Sequence, residues 1–324
     1  MGESSPMRCI LTLLVLLAPI TFGSGAMANE ISVTLDDLAA TYARPDADPT
    51  GIGVVFVAGS GPTDRNGNSP LGIHANYLKQ LSDALVADGA SVLRYDKRGI
   101  GASKAAMKSE AALRFDEFVD DAKSWADWLR GQNGITCVFM LGHSEGGLVA
   151  TLVAKQDDLA GLVLLDSPGR PLTAVMREQL SDAPLDKKTR SDALEILNSL
   201  EAGQTVADVA PALHALFRPS VQPFLISLIN IDPAKRLAAL KLPTLIVSGG
   251  RDLQVTEADY DALKSARPKA DAVRIPDMNH VLKNVVGTDR ASNLATYANP
   301  DLPLAPALKS AVTDFIRRTD CPTG

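Results

Sequence analysis

Short apolar runs rich in β-branched residues recur along this chain. Each is closed by glycine or another turn residue, and most are followed by a segment of helical period. "GIGVVFVAGSG" predicts a buried strand over Gly53 to Ala58. His74 to Asp88 then has helical spacing, with Leu78, Leu81, Leu85 and Val86 on one face. "ASVLRYDKRG" predicts a strand ending near Tyr95, and Phe115 to Arg130 a helix with Phe118, Ala122, Trp125 and Leu129 in one stripe. A strand over Ile135 to Leu141 and a helix running to about Lys155 follow, then strands in "LAGLVLLDSPG", "LPTLIVSGGRD" and "DAVRIPDMNH". An amphipathic helix, Leu304 to Arg318, closes the series. Alternation of this kind predicts an α/β fold with a mostly parallel central sheet and helices on both faces. Right-handed crossovers then bring the strand C-terminal ends and their loops to one edge. "ISVTL" and "LAATYARP" alternate more weakly and read as antiparallel strands at the sheet edge.

The segment 170–240 breaks the pattern. It holds no convincing strand and reads as short helices broken at Pro184, Pro211, Pro219, Pro223 and Pro233. About 70 residues between two core strands is far beyond an ordinary connection, which predicts an inserted helical lid. The core is then 29–169 together with 241–324. Residues 1–28 read as a signal peptide: Arg8, an apolar run from Cys9 to Phe22, and Ala26-Met-Ala28 as the cleavage pattern. A retained N-terminal anchor is the alternative. Cleavage predicts an exported protein, periplasmic or extracellular, with no stable membrane insertion afterwards. A net charge of −6 and 5% aromatic residues argue against a nucleic-acid partner.

Between a predicted strand and a predicted helix stands "LGHSEGG", in which Gly142-His-Ser144-Glu-Gly146 fits G-x-S-x-G. A strand turning directly into a helix strains the middle residue and tolerates only small neighbours, so the serine hydroxyl stands out at the sheet edge. A serine needs a base, itself oriented by a carboxylate. Of His74, His143, His214 and His280, only His280 follows the last predicted strand, which makes it the base. His74 reads as structural, His143 as pointing away from the serine, and His214 as a packed lid residue. Asp252, in "GGRD", is the first carboxylate after its strand; Asp166, after "GLVLL", is the alternative position for the acid. The oxyanion hole would use the backbone N–H of Glu145 and, from the loop "AGSGPTDRNGN", that of Ser60. The Glu145 side chain would oppose an oxyanion unless turned away or paired, with Arg65, Arg94 or Arg98 as candidate partners.

These motifs carry a resemblance. "GHSEGG", "YDKRGIGAS", "GGRD" and "NH" resemble the α/β-hydrolase superfamily over nearly all of Ile31 to Arg318. "GSGPTDRNGN", "DKRGIGAS" and "MNHVLK" are similar to its bacterial esterase and serine-aminopeptidase-like branch. The resemblance implies a serine hydrolase without cofactor, with Ser144, Asp252 and His280 as triad and a lid over the site. In that layout Cys137 and Cys321 lie at the same end of the sheet, so a disulfide is geometrically open to them; two free thiols are the alternative. No H-E-x-x-H motif, Cys/His cluster, P-loop or G-x-G-x-x-G fingerprint follows a strand, so no metal is called for. The partner implied is a small-molecule ester or amide. The first reading is a carboxylesterase for short- to medium-chain acyl esters; the second is an aminopeptidase or amidase, for which Glu178, Asp182, Asp186 and Glu195 offer acids for an α-ammonium. A non-catalytic binding protein on this scaffold would be expected to lack a triad member, and all are present.

Overall fold

The computed structural model of the protein describes residues 29–321; the predicted signal segment 1–28 lies outside the described residues. The elements run β1 (Asn29–Leu35), β2 (Leu38–Arg44), β3 (Ile52–Val57), a two-residue pair β4 (Asn68–Ser69) and β5 (Ile73–His74), α1 (Tyr77–Ala87), β6 (Ser91–Tyr95), α2 (Phe115–Arg130), β7 (Cys137–His143), α3 (Glu145–Val153) and β8 (Gly161–Leu165). Then come α4 (Leu172–Asp182), α5 (Lys187–Glu201), α6 (His214–Phe217), α7 (Gln222–Ile229), α8 (Pro233–Ala238), β9 (Thr244–Gly249), α9 (Glu257–Ala266), β10 (Asp271–Ile275), α10 (Arg290–Ala295) and α11 (Pro306–Arg318). Eight strands form one sheet in the order β1-β2-β6-β3-β7-β8-β9-β10. β1 pairs antiparallel with β2 and β2 with β6, while every pairing from β6 through β3 to β10 is parallel.

The period of two along the central strands decides which layer each side chain joins. Val54, Phe56, Phe139 and Leu141 pack with α1 and α11, against Leu78, Leu81, Leu85, Val312 and Phe315. Val55, Val57, Val138 and Met140 face the other way, onto Phe118, Trp125 and Leu129 of α2 and Leu148 of α3. Both sheet faces are therefore buried, which is why these strands read as continuous apolar runs.

The helix predicted from His74 starts later, at Tyr77. Asn68 and Asn76 exchange hydrogen bonds of 2.7 and 3.0 Å that hold the β4–β5 pair, and Asn76 stands at φ 49°. A left-handed residue cannot continue a helix, so His74 is left exposed on the strand side of it.

Between β8 and β9 the chain is helical and has an apolar cluster of its own, built from Met176, Leu180, Ile196, Leu197, Phe217 and Ile229 among others. Pro184 and Pro219 stand in the breaks between helices, as expected, whereas Pro223 and Pro233 sit in the first turns of α7 and α8, where the missing N–H costs nothing. Cys137, opening β7, and Cys321, just past α11, are joined as a disulfide with Cα atoms 5.5 Å apart. Among the described residues no single helix is long and apolar enough to cross a membrane.

Candidate active site

β7 ends at His143 and α3 begins at Glu145, so the whole change of direction falls on Ser144. Its backbone stands at φ 53°, ψ −127°, a conformation that costs a non-glycine residue about 1–3 kcal/mol. The surroundings enforce it. A Cβ on Gly142 would lie 2.2 Å from the Gly146 carbonyl oxygen, and one on Gly146 2.3 Å from that of Val57. The strand-to-helix turn therefore closes only with glycine on both sides of the serine. The Ser144 N–H donates to the Leu165 carbonyl at 2.9 Å, which fixes the turn against β8.

His280 and Asp252 stand on the loops after β10 and β9, at the same edge. His280 Nδ1 and Asp252 Oδ2 are 2.7 Å apart, with both side chains buried. The other Asp252 oxygen accepts the backbone N–H groups of Gln254 (2.7 Å) and Val255 (3.0 Å), so the carboxylate cannot turn away. Burial by itself would lower the His280 pKa, but the charge of Asp252 and its hydrogen bond outweigh that and hold the imidazole above its ordinary value.

Asp166, the alternative acid, is also close by, fully buried, at φ 43°. Its Oδ1 accepts the Gly249 N–H at 2.6 Å, and its Oδ2 has no hydrogen-bond partner among the described residues. Burial, with the nearby charge of Asp252, pushes this carboxyl well above the usual carboxylate range. The two carboxyls thus divide: Asp252 bonds directly to the imidazole, and Asp166 lies behind it with its charged form disfavoured by burial.

The two loops are tied to each other. Asn279, beside His280, donates to Thr296 (2.7 Å) and Asn293 (3.1 Å), and Asn293 donates to the Arg251 carbonyl (2.6 Å), beside Asp252. Lys283 donates from Nζ to the carbonyls of Asn299 (2.9 Å) and Leu302 (2.5 Å), which accounts for the lysine of "MNHVLK".

His143 points away from the serine's open side but not away from the site. Its Nε2 donates to the His280 carbonyl at 2.8 Å, and its Nδ1 accepts from the Tyr77 hydroxyl at 3.2 Å. Burial holds its pKa far below the ordinary value, which keeps it neutral and able to make both bonds. His143, Asp166 and His280 bring possible ligand atoms within 4.8 Å of one another, but both His143 nitrogens and His280 Nδ1 are already engaged, so the group is not arranged for a metal.

Ser60 and Glu145 line one cleft with Ser144, of about 260 Å³. Glu145 is the first residue of α3, so its N–H has no partner within the helix, and the Ser60 N–H has no acceptor among the described residues. Both are free for an oxyanion.

The expected arginine partners of Glu145 are a correction. Arg65 pairs with Asp96 (2.7 Å), Arg94 with Glu30, and Arg98 with Asp121 and Glu117. Glu145 is instead paired with Lys97, at 3.7 Å. Burial lowers the Lys97 pKa and raises that of Glu145, each shift opposed by the other residue's charge. Sequence reasoning gives no role to Lys97 or Tyr77, and for His143 it gives the direction but not the bonds to Tyr77 and His280. Lys97 had a usable signal, since it lies just beyond a strand end on the active edge, as Asp252 does.

The rest of "YDKRGIGAS" is scaffolding. Asp96 accepts from the Arg65 side chain and backbone (2.7 and 2.8 Å) and from the Ala102 N–H (2.9 Å), clamping the Ser60–Asn66 loop to the turn after β6.

The helices between β8 and β9 contribute Leu172, Val175, Gln179 and Leu228 to the serine's cleft. A second cavity, of about 340 Å³, lies on the other side of Glu145, between Phe118, Met107 and Phe224. Phe217 and Ile229 belong to the helical cluster, and His214, expected to be packed, is exposed and bonded to the Val209 carbonyl at 2.8 Å. Glu178 pairs with Arg170 (2.7 Å) and Asp186 caps α5. Among the described residues the one carboxylate lining the serine's cleft is Glu145.

Comparison with known proteins bears on the fold. Residues 71–181 match the family model described as serine aminopeptidase, S33. Esterase EstD of Thermotoga maritima is 30% identical over 258 residues, 78% of this chain and 60% of that protein. The chain spans 60% or less of the length of the curated relatives it matches. Among solved structures, Est1E of Butyrivibrio proteoclasticus, described with bound ferulic acid, superposes with a TM-score of 0.56 at 17% identity, over 89% of this chain and all of that one. The proline iminopeptidase of Mycobacterium smegmatis gives 0.54 at 19% identity, over 90% and 98%. The sheet order, the serine elbow and these solved structures together show the α/β-hydrolase fold, and in sequence the chain is similar to an esterase and, over residues 71–181, to the serine aminopeptidase model.

Proposed function

We propose that the protein is a serine hydrolase acting as a carboxylesterase on short- to medium-chain acyl esters. The observation that carries this is the strained Ser144 elbow beside a buried, doubly anchored Asp252–His280 pair. His280 takes the Ser144 proton as the oxygen attacks the ester carbonyl. The N–H groups of Ser60 and Glu145 hold the resulting oxyanion. Collapse of that intermediate breaks the bond to the leaving alcohol, which receives the proton from His280. Water, deprotonated by His280, then attacks the acyl-enzyme and releases the acid and free Ser144. The apolar walls given by Leu172, Val175 and Leu228 favour a hydrocarbon chain, and the helices from α4 to α8 act as a lid over it.

The second reading, an aminopeptidase or amidase, draws on the description of the matching family model. It needs a free carboxylate for the substrate ammonium, and Glu145 already faces Lys97. We also propose that the protein is exported, which the Cys137–Cys321 disulfide supports, since such bonds persist in oxidising compartments.

The test is labelling with a fluorophosphonate, followed by turnover of p-nitrophenyl esters of graded chain length beside aminoacyl anilides. Ser144-dependent labelling with ester turnover ahead of anilide turnover is the expected result. Faster anilide turnover selects the second reading, and absence of labelling removes both.

A further inference from the structure

Lys97 is only 2% exposed, two residues beyond the end of β6 and next to the active edge. An ammonium buried to that extent is costly unless polar partners satisfy it. Two do. Its Nζ donates to the Gly59 carbonyl and lies 3.7 Å from the Glu145 carboxylate, while it sits 5.3 Å from the centre of the Phe118 ring.

The Gly59 carbonyl is one end of a peptide whose other end is the Ser60 N–H. In a trans peptide these two groups point in opposite directions, so a residue that grips the oxygen also sets where the N–H points. Among the described residues no other hydrogen bond reaches the Gly59 carbonyl or the Ser60 N–H, although Thr63 Oγ1 donates to the next carbonyl, that of Ser60, at 3.0 Å. The peptide follows the end of β3, and the Ser60 side chain is exposed. Ser144 lies close against it: a Cβ on Gly59 would be 3.0 Å from the Ser144 Cβ. Bonding a cation to the carbonyl also polarises the peptide and makes its N–H a stronger donor.

We infer that Lys97 is a positioning residue for the oxyanion hole, holding the Gly59–Ser60 peptide by its carbonyl so that the Ser60 N–H faces the oxygen of the substrate carbonyl that Ser144 attacks. The same ammonium offsets Glu145, whose bare carboxylate would otherwise stand beside the developing negative oxygen. The inference rests on the serine-hydrolase reading.

Lys97→Met keeps the aliphatic stem on Phe118 and removes the donor. With p-nitrophenyl butyrate, kcat is expected to fall by about 100-fold with KM within about twofold, the scale of losing one oxyanion donor. Butylboronic acid, whose tetrahedral adduct on Ser144 fills the same hole, is expected to lose affinity by a similar factor. Lys97→Met/Glu145→Gln separates the two roles and buries no unpaired charge, so it carries the test even if the single variant does not fold. It is expected to stay at the low kcat. Recovery of the double variant to near wild-type kcat would assign the whole effect to the Glu145 charge and overturn the inference. So would a variant lacking Lys97 that keeps wild-type kcat and boronate affinity. A wild-type protein that neither labels nor turns over esters overturns the serine-hydrolase reading itself, a result distinct from either.

Discussion

The loops at the C-terminal edge of the sheet and the helices between β8 and β9 face each other across one cleft, yet they are held by different forces. On the sheet side, each candidate catalytic group is fixed by hydrogen bonds to backbone. Asp252 accepts two N–H groups besides His280, Ser144 is hung from β8, and His280 is held by its own carbonyl through His143. The facing helices meet the cleft with Leu172, Val175 and Leu228 and cohere through an apolar cluster of their own. Hydrogen bonds are directional and apolar packing is not. Chemistry should therefore depend steeply on single atoms of the first region, and substrate range gradually on bulk in the second.

The largest effect expected is at Ser144. Ser144→Ala should lower kcat/KM for p-nitrophenyl esters by at least about 10⁴-fold and leave the melting temperature nearly unchanged. Next is the contrast between the two acids. Asp252→Asn should cost about 10³- to 10⁴-fold in kcat, whereas Asp166→Asn should keep kcat within a few-fold, because Asp252 alone of the two bonds to His280 and burial already disfavours the Asp166 charge. Equal losses in both would erase the division of roles. The pH profile sharpens it. His280 accepts a proton only when neutral, and Asp252 raises its pKa, so activity is lost as pH falls through a value above the ordinary 6.5. Residual activity of Asp252→Asn should show that acid limb displaced to lower pH.

A smaller loss is expected from His143→Phe, which strands the Tyr77 hydroxyl and the His280 carbonyl in the interior. Stability should drop by about 2 kcal/mol in urea unfolding and kcat by about tenfold. Across the cleft, Leu228→Ala should leave kcat on an acetate ester unchanged and raise KM for a longer acyl chain by about tenfold, as befits removal of a few methylenes. A kcat loss there matching that at Asp252 would mean the helices carry chemistry after all. The least catalytic of these changes is Cys321→Ser, at the far end of β7. It should lower stability by about 2–5 kcal/mol without touching kcat.

The alternation of apolar strands with helical segments was enough to determine the layered sheet, because burial on both faces leaves its mark on every residue of a strand. G-x-S-x-G was likewise readable alone, since the clash at Gly142 and Gly146 arises within a few residues of chain and its nearest strand. Order along the chain placed His280 at the same edge. Tertiary structure decided what depends on atoms brought together from distant segments. Asp252 and Asp166 were both admissible until one was seen on Nδ1 of His280 and the other buried without a second partner. Glu145 had three arginines to choose from in sequence, and each was already committed to another acid, leaving Lys97. The cysteines could be judged only once 184 positions of separation had closed to 5.5 Å. Local sterics and periodic burial are written in neighbouring residues, whereas the choice of a charge's partner depends on which competitors are already satisfied, and that is a property of the folded chain as a whole.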